Sequence, residues 1–257
     1  MNLYSKIYGE GRATLVILHG LFGSSDNWQT FAKSIADRYQ VITIDLRNHG
    51  LSPHDPEFDF ECMAGDLQET FDTLNLSKIN LMGHSLGGKV AGYFALNHPS
   101  YLRSLIVIDI APKSYPPHHE LYFNAMLGLN LEEVTTRTQA DHWLSKQITD
   151  AGIRQFLLKN LMRDDAGTFK WRFNLQALYR HYDNINIPLS SDHPFSKPAL
   201  FIKGENSNYI LPDDAVLIKE LFTHAEVKQI DGAGHWVHAD QPVRLKEMVL
   251  EFLDNSN

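Results

Sequence analysis

One cysteine in 257 residues leaves Cys62 nothing to pair with inside the chain, which excludes an internal disulfide framework and suits a reducing compartment. No continuous apolar run is long enough to cross a bilayer. The longest early one, residues 15–18, is too short for a signal-peptide core and lacks a cleavage pattern. Positive charge is also in deficit: 23 Lys and Arg face 31 Asp and Glu, a net −8 with histidines neutral, so a nucleic-acid-binding surface is not expected. Internal repeats and low-complexity segments are missing as well. What is present is ordinary globular composition, 43% hydrophobic and 21% charged, at a length that suits one large domain or one domain carrying an insertion. These features predict a soluble, acidic, cytoplasmic protein, a monomer or weak homodimer, with no membrane span.

The pattern along the chain alternates strands with helices. Apolar, β-branched runs at 13–18, 41–44, 78–82, 105–108 and 199–202, and a further stretch at 227–230, read as strands. Between them, Trp28, Phe31, Ile35 and Ala36 recur at helical spacing, as do Phe60, Met63, Ala64, Leu67, Phe71 and Leu74 behind Asp59, a predicted N-cap. Helices are also expected around 215–222 and over the last dozen residues. From 112 to 193 no convincing strand occurs, only amphipathic segments, and roughly eighty residues are too many for one connection. The expected fold class is therefore α/β: a mostly parallel central sheet flanked by helices, its core formed by 1–111 and 194–257, with 112–193 inserted as a helical cap. Such sheets bind ligands at the carboxyl ends of their strands, under that cap.

Gly83-His84-Ser85-Leu86-Gly87 follows a predicted strand and opens a predicted helix whose inner face is small, Gly88, Ala91, Gly92 and Ala95. Glycine-x-serine-x-glycine in that context is a nucleophile elbow, whose glycines avoid collision with neighbouring backbone at a strained turn. A serine hydroxyl needs a base within hydrogen-bond reach. Thirteen histidines are present, but the base of this arrangement comes last, after the final strand, where Gly232-Ala233-Gly234-His235-Trp236 stands. His84 and His238 read as packing residues. The adjacent His118-His119 lacks the supporting carboxylate or cysteine pattern of a metal site, so neither metal nor cofactor is expected. The carboxylate that fixes the base is assigned to Asp109, at the end of the strand 105–108. Glu205 is the runner-up, on the later loop where many related enzymes carry an aspartate and this chain has Ser207. Oxyanion donors are expected from the Leu86 N–H and from the loop His19-Gly20-Leu21-Phe22-Gly23, with Leu21 first and Phe22 second.

Three stretches, Asp45-Leu46-Arg47-Asn48-His49-Gly50-Leu51-Ser52-Pro53, Met82-Gly83-His84-Ser85-Leu86-Gly87-Gly88-Lys89 and Gly234-His235-Trp236-Val237-His238-Ala239, together with Ile108-Asp109-Ile110-Ala111-Pro112, resemble the bacterial YbfF-type esterases of the α/β-hydrolase superfamily. The resemblance covers nearly the whole chain. It implies hydrolysis of acyl esters, with acyl-CoA thioesters as a further substrate class, and an acid carried one strand early, in agreement with Asp109. It assigns the 45–53 segment no chemical step; the segment is expected to shape the pocket floor. The resulting expectation is a serine esterase acting on small-molecule esters or thioesters through Ser85, His235 and Asp109, with Phe22, Tyr122, Met126 and Tyr179 as pocket walls. Scattered Lys113, Lys146, Arg154 and Arg172 are the cations available to a CoA phosphate. The rival expectations are a ligand-binding homologue with little turnover and a hydrolase of carbon–carbon bonds.

Overall fold

The computed structural model describes residues 1–256. Seven strands form one sheet: β1 (Ser5–Tyr8), β2 (Thr14–Leu18), β3 (Gln40–Ile44), β4 (Ile79–His84), β5 (Leu102–Ile108), β8 (Ala199–Gly204) and β9 (Ala225–Ile230). Their spatial order is β1-β3-β2-β4-β5-β8-β9. All neighbours are parallel except β1, which pairs antiparallel with β3 at the edge. The four-residue β1 carries no apolar run, which is why the sequence pattern passes over it.

The alternation of side chains along each strand divides the core in two. Leu15, Ile17, Met82, Ile106 and Ile108 point to the face covered by α1 (Gln29–Ile35) and α11 (Pro242–Ser256), where they meet Phe31, Ile35, Leu245, Val249 and Phe252. Val16, Leu18, Leu81, Leu105 and Val107 point to the other face, covered by α2 (Phe60–Thr73) and α3 (Leu86–Asn97). Strands buried on both faces must be apolar throughout, and all six residues of β4 are buried. Asp59 caps α2 through its side chain, accepting the Cys62 N–H at 2.8 Å, and α3 stops at Asn97, before His98-Pro99.

Between β5 and β8 lie five short helices, α4 (Glu120–Leu127), α5 (Arg137–Leu144), α6 (Ala151–Leu158), α7 (Leu175–Arg180) and α8 (Tyr182–Asn186). They are interrupted by an antiparallel hairpin of β6 (Leu161–Arg163) and β7 (Phe169–Trp171). The segment is therefore not all-helical as expected; three-residue strands are too short for alternation to stand out in sequence. After β8, α9 (Asp214–Leu221) precedes β9, and the short α10 (Val237–Asp240) precedes α11. Among the described residues no helix is long and apolar enough to cross a membrane.

Candidate active site

Ser85 occupies the turn between β4 and α3 with φ 53° and ψ −120°, a conformation that costs an L-residue energy and persists only where the surroundings enforce it. The enforcement is steric. A Cβ on Gly83 would sit 2.1 Å from the Gly87 carbonyl oxygen, and one on Gly87 would sit 2.5 Å from that of His19. Neither position accepts a side chain. The Ser85 N–H donates to the Ile108 carbonyl at 3.0 Å, which joins the turn to the end of β5.

The residue that follows β5, Asp109, also has a positive φ of 51° and is fully buried. Its Oδ1 accepts the Gly204 N–H at 3.0 Å; its Oδ2 accepts the Ser207 hydroxyl and stands 2.8 Å from His235 Nδ1. On the other side of the ring, His235 Nε2 lies 3.1 Å from Ser85 Oγ. With Nδ1–H donating to the carboxylate, Nε2 is left as the acceptor that a hydroxyl proton requires. Serine, imidazole and carboxylate thus form one unbroken hydrogen-bonded chain.

The loop carrying His235 is fixed from four directions. His84 Nε2–H donates to the His235 carbonyl at 2.9 Å, and burial, with His235 and His238 adding to it, holds the His84 imidazole well below its usual range and so neutral. Glu205 accepts the Gly232 N–H at 2.7 Å, Asn206 N–H reaches the Ala233 carbonyl at 2.8 Å, and Asp240 accepts the Gly234 N–H at 2.8 Å. Glu205, the alternative acid, therefore supports the loop's backbone and does not touch the imidazole. Tyr209 stacks on the His235 ring with centroids 4.0 Å apart.

Ser85 and His235 open onto a cavity of about 320 Å³ lined by Phe22, Trp28, Tyr122, Ile153, Phe156 and Trp236 among others. Of the four residues expected as pocket walls, Phe22 and Tyr122 line this cavity. Met126 is not brought to this cavity: it is buried in the core behind α4 and borders a separate groove. Tyr179 is 44% exposed and packs its ring on Phe123. An amphipathic stripe marks a buried face without saying which neighbour it meets, and here the stripe of α4 and α7 serves the segment's own interior. The wall from α6 escapes the sequence reading, although Ile153, Phe156 and Leu157 stand at helical spacing. Ser207 stands out in the sequence only as a replacement for the customary aspartate; its donation to Asp109 is a finding of the structure.

Of the two candidate oxyanion donors on the first loop, the Phe22 N–H is already bonded to His49 Nε2 at 3.3 Å. His119, buried beside the cavity, pairs Nδ1 with the Tyr182 hydroxyl at 2.8 Å, and burial pushes it down to about 4. Among the described residues no group of three or more His, Cys, Asp or Glu side chains is arranged to hold a metal ion.

The fold and this arrangement define a class, and the sequence agrees: the α/β hydrolase fold family matches residues 13–242. The chain belongs to the α/β-hydrolase family. It is 41% identical over 95% of its length to a protein of Mus musculus named sn-1-specific diacylglycerol lipase, of which it covers 83%. It is 35% identical over 94% of its length to Escherichia coli esterase YbfF, covering 92% of that protein. A solved structure titled marine microorganism esterase superposes with a TM-score of 0.95 at 41% identity, covering 98% of this chain and 99% of that one. Within the family the chain stands among carboxylic ester hydrolases.

Proposed function

We propose that the protein is a serine esterase that cleaves carboxylic esters with an apolar acyl chain through an acyl-enzyme intermediate. The hydrogen-bonded chain Ser85–His235–Asp109 at the mouth of an apolar cavity carries this reading. His235 Nε2 takes the hydroxyl proton as Ser85 Oγ attacks the ester carbonyl. Asp109 accepts from Nδ1–H throughout and stabilises the imidazolium. The negative charge forming on the carbonyl oxygen is received by the Leu86 N–H, at the start of α3, and by the Leu21 N–H. The tetrahedral adduct collapses, the alcohol leaves with the proton from His235, and water, deprotonated by the same nitrogen, releases the acid and restores Ser85. The segment 112–193 acts as the lid, and α6 provides the wall against which the acyl chain lies.

Oxygen esters are favoured over acyl-CoA thioesters by the disposition of the cations. Lys113 is paired with Asp214 at 2.6 Å, Arg154 with Asp141 at 2.9 Å and Arg172 with Asp26 at 2.8 Å, while Lys146 lies over the Trp143 ring. Three of the four cations suited to a nucleotide phosphate already have carboxylate partners.

The test is release of p-nitrophenol from short- and medium-chain esters by wild type and Ser85→Ala, with labelling by an organophosphate. Turnover and labelling in the wild type and neither in Ser85→Ala is the expected result. Absence of both in the wild type would return the protein to the ligand-binding class, and faster turnover of acyl-CoA than of any oxygen ester would reverse the substrate order.

A further inference from the structure

The segment 45–53 has no part in the steps above, yet it is among the most buried polar stretches of the chain: Asp45, Arg47, Asn48 and His49 are all nearly inaccessible. Its bonds converge on the loop that carries Leu21. Asp45 accepts the Ser25 N–H at 2.6 Å and the Leu51 N–H at 2.8 Å. The Leu46 N–H donates to His19 Nε2 at 3.0 Å. His49 donates Nδ1–H to the Arg47 carbonyl at 2.9 Å, which leaves Nε2 as the acceptor for the Phe22 N–H. Arg47 is itself fixed by Asp66, with contacts of 2.5 and 2.9 Å.

Phe22 has a φ of 62°, where a bulky L-residue is an outlier and must be held. Its N–H is gripped by His49. Its carbonyl is gripped from the opposite side by Asn160 Nδ2, at 2.8 Å, from the inserted segment. Asn160 is anchored in turn, its carbonyl accepting the Arg172 N–H at 2.8 Å, while the Arg172 guanidinium reaches Asp26 on the same loop. Asn174 closes the ring by donating its N–H to the Asn48 carbonyl at 2.9 Å. Both polar groups of one strained residue are thus occupied, one by the core and one by the lid.

We propose that His49 and Asn160 are positioning residues for the oxyanion site, clamping Phe22 from the two sides so that the adjoining Leu21 peptide is held in the geometry that receives the developing charge. The inference rests on the serine-esterase reading. It makes the lid a participant in transition-state binding as well as a wall for the acyl chain. Burial, together with the neighbouring His19, keeps the His49 imidazole well below its usual range, and only the neutral ring can accept the Phe22 N–H.

The experiment compares His49→Leu, His49→Gln, Asn160→Ala and the double variant of His49→Leu with Asn160→Ala against wild type on a p-nitrophenyl ester. It also measures the affinity of a trifluoromethyl ketone, whose adduct with Ser85 places an oxyanion where the substrate does. Losing one oxyanion donor outright costs about a hundredfold or more, so a displaced donor is expected to cost at least about tenfold in kcat, with KM within about twofold. Ketone affinity falls in parallel with kcat. His49→Gln, whose amide both accepts and donates, restores most of both, and the two losses are less than additive because they act through one residue. Unchanged kcat in folded Asn160→Ala, a rise in KM alone, or a fall in kcat with ketone affinity intact would overturn the inference. Asn160→Ala keeps it testable where His49→Leu does not fold. Failure of Ser85 labelling in the wild type would mark failure of the underlying reading instead.

Discussion

The sheet and the segment inserted into it are held together by different means. In β2, β4, β5 and β8 the backbone is satisfied by parallel ladders and the side chains by apolar neighbours on both faces. The inserted segment has helices of five to eight residues, too short to stand alone. Several of its backbone carbonyls are met by long side chains: Arg137 on Leu161, Arg154 on Ile148 and Thr149, and Lys89 from α3 on Lys113, Ile185 and Ile187. Its apolar side chains, Phe123, Met126, Leu144 and Leu178 among them, join the core on the α2–α3 side of the sheet. Ser85, His235 and Asp109 sit on the first region, and the second adds Tyr122, Ile153, Phe156 and Leu157 to a cavity lining that the core begins with Phe22 and Trp28.

The contrast is broken most readily on the sheet. Asp109→Asn is expected to lower kcat by about 10⁴-fold, because the amide no longer fixes the imidazole tautomer, while Glu205→Gln stays within about threefold; the reverse order, read from ester hydrolysis, would move the acid to the later loop. Next comes Gly87→Ala, whose methyl would lie 2.5 Å from the His19 oxygen and 2.6 Å from that of Leu18. Overpacking of that kind costs up to about 3 kcal/mol, and urea unfolding should show it together with a collapse of activity. On the lid, Phe156→Ala should raise KM for hexanoate or longer esters by about tenfold and leave acetate esters nearly unaffected, the scale of a lost apolar wall. An equal loss on acetate would tie α6 to the chemistry as closely as the elbow.

The smallest effect lies at the junction of the two regions. Lys89 is buried with three carbonyls around its ammonium, and burial pushes it down to about 8 from the ordinary 10.5. Between those values the unfolded chain holds the extra proton, so stability contributed through this group rises with pH, by at most about 1.4 kcal/mol per unit. Chemical unfolding of wild type and Lys89→Met at pH 7.5 and 9.5 should show the increment in the former and lose it in the latter.

Much of the sheet was legible in the sequence because a strand buried on both faces has to be apolar, and the elbow because its glycines answer a steric demand that shows at fixed spacing. Ser85, His235 and Asp109 could be placed from strand order, and the structure brings them within hydrogen-bond reach of one another. β1 escaped because an edge strand reading Ser-Lys-Ile-Tyr has no apolar run, and the β6–β7 hairpin because three residues per strand make no pattern. The cavity wall escaped for another reason. Met126 and Tyr179 look like pocket residues on the same grounds as Ile153 and Phe156, and only the packing of the helices against each other decides which set lines the cavity. The 45–53 segment reads as pocket floor, whereas its Asp45 and His49 side chains turn to the loop of Leu21.

The place of Asp109, directly after β5, decides which two of the three hydrogen-bonded groups share a support. Ser85 and Asp109 follow adjacent strands and are joined through the Ser85 N–H and the Ile108 carbonyl, so the hydroxyl and the carboxylate share one support. Had the acid followed β8, it would stand beside the strand that precedes His235, and Ser85 would be the member set apart. Here His235 is the member set apart, and the stretch after β8 supports both partners without supplying the acid: the Ser207 hydroxyl on Asp109, the Glu205 carboxylate on the Gly232 N–H and the Tyr209 ring on the imidazole. A change in that stretch that keeps Glu205, Ser207 and Tyr209 leaves the acid on its own strand end untouched.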